Sequence, residues 1–354
     1  MVNVLGFDIG GANTKAVYLQ ENNGQVTVQV ASQYFPIWKN PQKLSDVLRA
    51  LAETLVTAGL DALGVTMTAE LSDAYRTKRE GVCSILSCVN HVFSRTPCYF
   101  LSSSGKLVTS EEARSKPLEV ASANGAATGW LISQYLKDAV IVDVGSTSTS
   151  IIPIVQGQVA AKGKTDLEKL VCGELVYTGS LRTNIATITH TVPIRGGVAS
   201  VSSELFSTSG DVHLLLGNIS AADFTSETAD GREKSFAQAQ ARLSRVVCAD
   251  TEMLTQSEIT DLAKYVWERQ INQISDGLRK VYNYTKNLSQ KEVPIVVTGL
   301  GKDFLAQKAA EKIGAAKIVD MEAFLNSQAV LATPALGVTL MTAGKIKGVL
   351  IKWP

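Results

Sequence analysis

Two aspartates carry the chemistry this chain is best equipped for. Each ends an apolar run and is followed by glycine and small hydroxyl residues. The first stretch is Gly6-Phe7-Asp8-Ile9-Gly10-Gly11-Ala12-Asn13-Thr14-Lys15, and the second is Val142-Asp143-Val144-Gly145-Ser146-Thr147-Ser148-Thr149. Such a strand, turn and second strand make a hairpin whose tip can wrap a phosphate. Glycine lets the backbone come close to an anion, and turn N–H and hydroxyl groups donate to its oxygens. Gly10, Gly11, Asn13, Thr14, Gly145, Ser146 and Thr147 are the candidate phosphate contacts. Lys15 joins them as a point charge, unless strand alternation turns it to solvent. Asp8 and Asp143 are badly placed to touch phosphate and well placed to hold Mg²⁺, often through water. The plainer alternative is that each caps its own turn. A third stretch, Val297-Thr298-Gly299-Leu300-Gly301-Lys302, adds Gly299 and Gly301 as a late strand–Gly-x-Gly–helix signal.

The elements around these turns repeat. Residues 2–9, 14–20 and 25–33 read as three strands, with Asn22-Asn23-Gly24 as a hairpin turn. Leu44, Val47, Leu48, Leu51 and Leu55 have helical spacing within 41–59, and 62–67 returns as a strand. The β-β-β order recurs at 139–144, 147–154 and 158–161. A long helix at 257–287, a strand at 293–298, a helix at 302–313 and a short strand near 317–319 follow. The expectation is an α/β protein of two ribonuclease-H-like lobes enclosing a cleft. The first is 1–138 and the second 139–328, and 329–354 is a C-terminal helix, whose return to the first lobe is usual in the ATPase superfamily that this order resembles. Residues 68–116 and 173–250 are polar and turn-rich, and read as insertions on this scaffold, where specificity usually resides.

Composition narrows the class. The chain has 354 residues, 45% hydrophobic and 19% charged, with 34 basic against 33 acidic residues and a net charge of +1. That balance gives no electrostatic case for nucleic acid or a membrane surface. No stretch reads as a transmembrane span, and the N-terminus enters a strand at once without a signal peptide. Cys83, Cys88, Cys98, Cys172 and Cys248 form no Cys-x-x-Cys pair, which reads as reduced thiols in a cytoplasmic protein.

The expected insertions hold the remaining candidates. Glu70, Asp73, Arg76 and Lys78 crowd one segment directly after a core strand. Lys78 and Arg76 are candidate phosphate donors. Glu70 and Asp73 are candidates for an amine contact or a general base. A solvated charge run is the ordinary alternative. Arg182 and Arg195 fall in the second insertion with Glu174, Tyr177 and Glu204; an arginine fork there suits a carboxylate or phosphate, or staples a loop. His190, Asp211 and His213 match no zinc spacing.

Taken together, the two Asp-Gly hairpins and the late Gly-x-Gly resemble the actin, hexokinase and heat-shock-protein ATPase superfamily. Within it, several blocks look like the hydantoinase A/oxoprolinase-like proteins linked to tetrahydromethanopterin one-carbon metabolism. They are Met67-Thr68-Ala69-Glu70-Leu71-Ser72-Asp73-Ala74-Tyr75-Arg76-Thr77-Lys78-Arg79-Glu80-Gly81, then Gly173-Glu174 through Tyr177-Thr178-Gly179 to Leu181-Arg182-Thr183, then Glu204 through Ser209-Gly210-Asp211 to His213, and Ala229-Asp230-Gly231-Arg232. The resemblance covers nearly the whole chain. Archaeal members are ether synthases of methanofuran biosynthesis. They join an aminomethylfuran methyl diphosphate to the phenol of γ-glutamyltyramine and release diphosphate. It implies small-molecule diphosphate and phenolic amine substrates and Mg²⁺ at Asp8 and Asp143. The substrate contacts come from Asp73, Arg76, Lys78, Glu174, Tyr177, Arg182, Glu204 and Asp211, and Glu70 or His213 accepts the phenolic proton. The family pattern closes the second hairpin in Asp, where this chain has Ser150. An ATP-dependent kinase, an ATP-cleaving oxoprolinase-like enzyme and a non-catalytic ATP-binding factor are the alternatives, with ATP at Gly299 and Gly301.

Overall fold

A computed structural model describes residues 1–353. Contacts divide the chain into two compact units. The first comprises Met1–Asp138, Ile154–Glu168 and Met321–Pro354; the second comprises Ala139–Pro153 and Lys169–Asp320. The expected boundaries at 138 and 329 are thus crossed by a short segment, 154–168, that belongs with the first unit.

In the first unit, β1 (Val2–Ile9), β2 (Asn13–Asn22), β3 (Gln25–Tyr34), β4 (Ala62–Met67), β5 (Cys98–Leu101) and β6 (Leu107–Thr109) form one sheet in the order β3-β2-β1-β4-β5-β6. β1 is buried along its whole length. It pairs antiparallel with β2 and parallel with β4, so its end at Asp8 lies at the carboxyl end of parallel strands. One face is packed by the helices Leu44–Leu55 and Lys78–Val92, which insert Leu48, Leu51, Val82, Ile85 and Leu86 into a core with Phe7, Val65 and Phe100. The other face receives the helix Thr333–Lys347 at backbone distance. A Cβ on Gly6 would lie 1.8 Å from Thr339 Oγ1, and one on Gly64 would lie 2.3 Å from Thr342 Oγ1. Gly6 therefore serves helix packing.

The expectation that 68–116 is an insertion is wrong. The helix Lys78–Val92 and strands β5 and β6 complete the sheet and its cover. The signal was weak because β5 has four residues and β6 three.

The second unit is built on β7 (Ala139–Val144), β8 (Thr149–Val155), β10 (Leu175–Val176), β13 (Ile295–Thr298) and β14 (Ile318–Asp320), in the order β10-β8-β7-β13-β14. The strand beyond β8 is β10, drawn from inside the expected second insertion. The expected strand at 158–161 shrinks to β9 (Gln158–Val159), which pairs only the end of β8. The rest of 173–250 makes a hairpin of β11 (Thr191–Ile194) and β12 (Gly197–Ser200), with helices Ser209–Leu215 and Phe236–Arg245. These close their own core over the first half of the long helix Gln256–Ser289, with Ile188, Val212, Leu243, Leu262 and Val266 inside. Arg242 is buried in this subdomain. Its Nε donates to Asp211 Oδ1 at 2.8 Å and its Nη1 to Asp230 Oδ1 at 3.1 Å. Asp211 is committed to that pair and to the backbone N–H of Thr208, and is no substrate contact.

Candidate functional site

The two Asp-Gly turns close in the same way. Gly10 N–H donates to Asn13 O at 3.0 Å, and Gly145 N–H donates to Ser148 O at 3.0 Å. Each aspartate sits two residues before its glycine, at the end of a strand with a parallel neighbour, as the sequence repeat predicts.

In the first unit, Asp8 is buried opposite Lys15 in the β1–β2 register and beside Thr66 of β4. Gly10 is required there: a Cβ would lie 2.7 Å from the Asn13 carbonyl oxygen. Gly11 is not required by the protein, since a Cβ there would meet nothing within 4 Å. The turn is thus open at the glycine where a phosphate oxygen would approach the backbone. Asn13 and Lys15 are half-buried, and Thr14 is fully buried.

A second group of polar side chains lies on the same sheet end. Thr68 N–H donates to Ile9 O at 2.9 Å, so the chain leaving β4 is tied to the β1 turn. Two residues later Glu70 is buried in the short turn Ala69–Leu71. The Lys78–Val92 helix presses on that turn so closely that a Cβ on Gly81 would lie 2.4 Å from the Glu70 carbonyl oxygen. Glu70 Oε1 lies 2.8 Å from Ser122 Oγ and 3.7 Å from Lys78 Nζ. Ser122 Oγ is 2.6 Å from Asp166 Oδ2, and Lys78 Nζ forms a short ion pair with the same oxygen. Glu70 Oε2 is buried with no hydrogen-bond partner among the described residues. Burial pushes the Glu70 carboxyl above its ordinary range, against the pull of Ser122 and Lys78. Lys78 therefore serves this cluster before any phosphate. Arg76 and Asp73 are exposed, and the Arg76 N–H is held by the Glu80 carboxylate at 2.9 Å.

In the second unit, the segment after β10 wraps the Asp143 turn. Ser180 N–H donates to Gly145 O at 2.9 Å, and the N–H groups of Leu181 and Arg182 both donate to Ser146 O at 3.0 Å. Gly179 presses on Thr147, where a Cβ would lie 2.5 Å from its carbonyl carbon. Arg182 Nη1 donates to Thr147 Oγ1 at 3.0 Å, which places a guanidinium directly on the second turn. The third motif packs there too. Gly301 N–H donates to Val144 O at 3.0 Å, and a Cβ on Gly299 would lie 2.4 Å from Val144 O and 2.5 Å from Asp143 Oδ1. Gly299 and Gly301 are thus fixed by their fit against the Asp143 strand end.

His213 takes another place than expected. It is fully buried against the Phe304 ring, with centroids 4.5 Å apart. Its Nε2 lies 2.9 Å from Gln270 Oε1, and Asn218 Nδ2 lies 3.1 Å from its Nδ1. Gln270 Nε2 in turn donates to Thr178 Oγ1 at 2.9 Å and Gly179 O at 2.8 Å. Burial drives the imidazole down to about 4. A neutral, enclosed histidine that braces the 178–183 segment is not the proton acceptor the sequence proposed. Glu174 is buried, with its carbonyl accepting from Ile151 N–H at 2.8 Å, while Tyr177 and Glu204 are exposed. Arg195 staples a loop by donating to Glu258 Oε1 at 2.7 Å. Ser122 and Asp166 were missed by sequence reasoning; the Lys78–Asp166 contact spans 88 residues and no local pattern announces it.

The described residues hold no group of three or more His, Cys, Asp or Glu side chains arranged for a metal. Mg²⁺, which keeps several waters and binds through one or two carboxylates plus substrate phosphate, would ask for less, a single carboxylate beside a glycine turn. Asp8 and Asp143 each have that setting. No helix among the described residues is long and apolar enough to cross a membrane.

Comparison with known proteins shows the family and the fold. The chain is 36% identical over 341 residues, 95% of its own length and 96% of the relative's, to the (4-{4-[2-(gamma-L-glutamylamino)ethyl]phenoxymethyl}furan-2-yl)methanamine synthase of Methanocaldococcus jannaschii. A protein of the same name from Methanococcus vannielii is 33% identical over 218 residues, 61% of this chain and 96% of that protein. Among solved structures, the nucleotide-free acetone carboxylase, an enzyme of ATP-dependent acetone carboxylation, superposes with a TM-score of 0.58. It is 11% identical, and the match covers 96% of this chain and 70% of that one. That likeness shows the fold alone, the two-lobed actin-like ATPase fold. The hydantoinase/oxoprolinase family profile matches residues 61–345, and with the full-length relative it makes this chain a member of the hydantoinase/oxoprolinase family.

Proposed function

We propose that the protein is a transferase that joins an aminomethylfuran methyl diphosphate to a phenol such as γ-glutamyltyramine, forming an aryl ether and releasing diphosphate. The observation that carries this reading is the 36% identity extending over 95% of the chain to a synthase named for a phenoxymethylfuran product.

The reaction asks for three things. The bond between the furan methylene carbon and the diphosphate oxygen breaks with its electron pair on oxygen, helped by the electron-rich ring that stabilises positive charge on carbon. The phenolic oxygen forms the new bond to that carbon. The phenol, with a pKa of about 10 in water, gives up its proton as it attacks. Turn N–H groups and the Arg182 guanidinium supply fixed donors for the charge that develops on the leaving group. Mg²⁺, held by Asp8 or Asp143 when bound, would neutralise further diphosphate charge. Under this reading no ATP is consumed, and both substrates are small molecules handled by a cytoplasmic enzyme.

The test is mass spectrometry of the products after incubation with synthetic aminomethylfuran diphosphate, γ-glutamyltyramine and Mg²⁺. Ether and diphosphate in equal amounts are expected. Diphosphate without ether would refute the transfer. In parallel, calorimetric titration with inorganic diphosphate and with ATP should show binding of the former; tight binding of ATP alone would favour a kinase.

A further inference from the structure

We propose that Glu70, Ser122 and Asp166, clamped by Lys78, form a proton outlet. It takes a proton at the inner oxygen of Glu70 and releases it at Asp166. The inference rests on the ether-forming reading for the origin of the proton, a phenol, but the outlet itself follows from counting hydrogens.

Ser122 Oγ lies 2.8 Å from Glu70 Oε1 and 2.6 Å from Asp166 Oδ2. A hydroxyl has one proton and can donate to only one of them. With both carboxyls ionised, the other contact would set two electron-rich oxygens at hydrogen-bond distance with nothing between them. A proton on one carboxyl fills that gap, so the cluster holds one more proton than its formal charges require. Lys78 forms its ion pair with Asp166 and stands 3.7 Å from Glu70. The spare proton therefore rests on Glu70, giving the chain Glu70 O–H to Ser122 O–H to Asp166 carboxylate. Burial, the largest influence on the Glu70 carboxyl, raises it; of the two charged groups acting on it, Lys78 opposes that and Asp166 adds to it.

The two ends of this chain differ. Glu70 is buried, and its second oxygen, Oε2, has no partner among the described residues. Asp166 keeps 20% of its side chain exposed. The segment that carries the inner end is tied to the Asp8 turn by the Thr68–Ile9 bond and held by the pressure of Gly81 on the Glu70 backbone. A proton arriving on Oε2 is matched by transfer of the Oε1 proton to Ser122, and of the Ser122 proton to Asp166, which gives it to water. The carboxyl returns to its neutral form, and the phenolic oxygen is left with the electron pair that forms the ether bond. Glu70 is the group that would touch the substrate; Ser122 and Asp166 act through it.

Ser122→Gly tests the outlet without backbone strain, because Ser122 has a φ of +52° that glycine adopts freely. On the unliganded protein, infrared spectroscopy should show the carbonyl stretch of a protonated carboxyl at neutral pH, lost in Glu70→Gln. That band should shift promptly in D₂O for the wild type and slowly for Ser122→Gly. In turnover, Ser122→Gly should lower kcat about 100-fold, the lower end of what positioned proton transfer supplies. Diphosphate affinity should be kept, and added imidazole should recover part of the rate. Absence of the band, or equal exchange in wild type and Ser122→Gly, would overturn the outlet whatever the reaction is. Failure of the wild type to make ether, with the band and its slowed exchange present, would leave the outlet standing and overturn the phenol as its proton source.

Discussion

Gly299→Ala separates what the third Gly-x-Gly does for the fold from what it does for a ligand. Gly299 has a φ of +88°, and a Cβ there would lie 2.4 Å from the Val144 carbonyl oxygen. An L-residue in the left-handed region costs about 1–2 kcal/mol. Forcing an extra methyl into a filled contact costs about 1–3 kcal/mol more, and here the obstacle is backbone that no rotamer change can relieve. The total, about 2–5 kcal/mol, is a large part of the ~5–15 kcal/mol that holds a typical domain. Three other glycines divide the sum. Gly314 has a φ of +74° with open space, so Gly314→Ala should show the strain alone. Gly10 meets the Asn13 carbonyl without positive φ, so Gly10→Ala should show the clash alone. Gly11 has neither, and Gly11→Ala should leave stability within about 0.5 kcal/mol, as an unconstrained surface change does. Urea denaturation of the four variants gives the stabilities, and calorimetry with inorganic diphosphate gives the affinities. Gly11→Ala should weaken diphosphate binding despite its unchanged stability, because its methyl enters the open side of the turn. If Gly299→Ala is as stable as Gly314→Ala, the close approach to Val144 contributes nothing. If Gly11→Ala binds diphosphate like the wild type, the first turn is no phosphate cradle.

The remaining predictions concern the buried polar groups of the second unit. Arg242→Ala should cost about 3–5 kcal/mol in urea denaturation, because it leaves the Asp211 carboxylate buried without its cation. Asp211→Asn combined with Arg242→Met should recover much of that loss. The burial of His213 makes stability fall on acidification. The unfolded imidazole binds a proton near 6.5 and the folded one only near 4, so the unfolded state holds more protons throughout that window. Stability from this group is full above 6.5 and declines by about 3 kcal/mol toward pH 4, and His213→Gln should flatten the slope.

Legibility followed the length and regularity of each signal. The strands Ala62–Met67 and Ala139–Val144 fall where their apolar runs placed them, and the helix Gln256–Ser289 differs from its 3.6-residue pattern by one or two residues at each end. Local pattern was enough there because burial acts on every turn of the element. It was not enough for β10, two residues whose pairing with Ser150 and Thr149 makes them a strand. The second insertion was correctly read as polar, yet its polarity is partly interior. Asp211 and Arg242 look like surface charges in sequence and are buried because each supplies the other's counterion.

The Asp-Gly turns and the Glu70 cluster show why the site was half legible. A turn is local, so Asp8, Gly10 and Asn13 announce it within six residues, and the second copy at Asp143, Gly145 and Ser148 repeats the same hydrogen bond. The cluster is not local. Glu70 comes from a turn, Lys78 from the helix that follows, Ser122 from a residue in the left-handed conformation and Asp166 from a later helix. Each looks ordinary alone; the chemistry comes from their separation in space. Lys78 illustrates the cost of reading charge without geometry. As one of three cations after an acidic turn it reads as a phosphate donor, but an ion pair with Asp166 and a contact with Ser122 at 3.3 Å already occupy its ammonium. Replacing it by methionine would remove the cation that keeps the spare proton on Glu70 rather than on Asp166. With the proton shared between the two carboxyls, Glu70 would be ionised for much of the time, so the carbonyl stretch that is lost in Glu70→Gln should already be weakened in Lys78→Met.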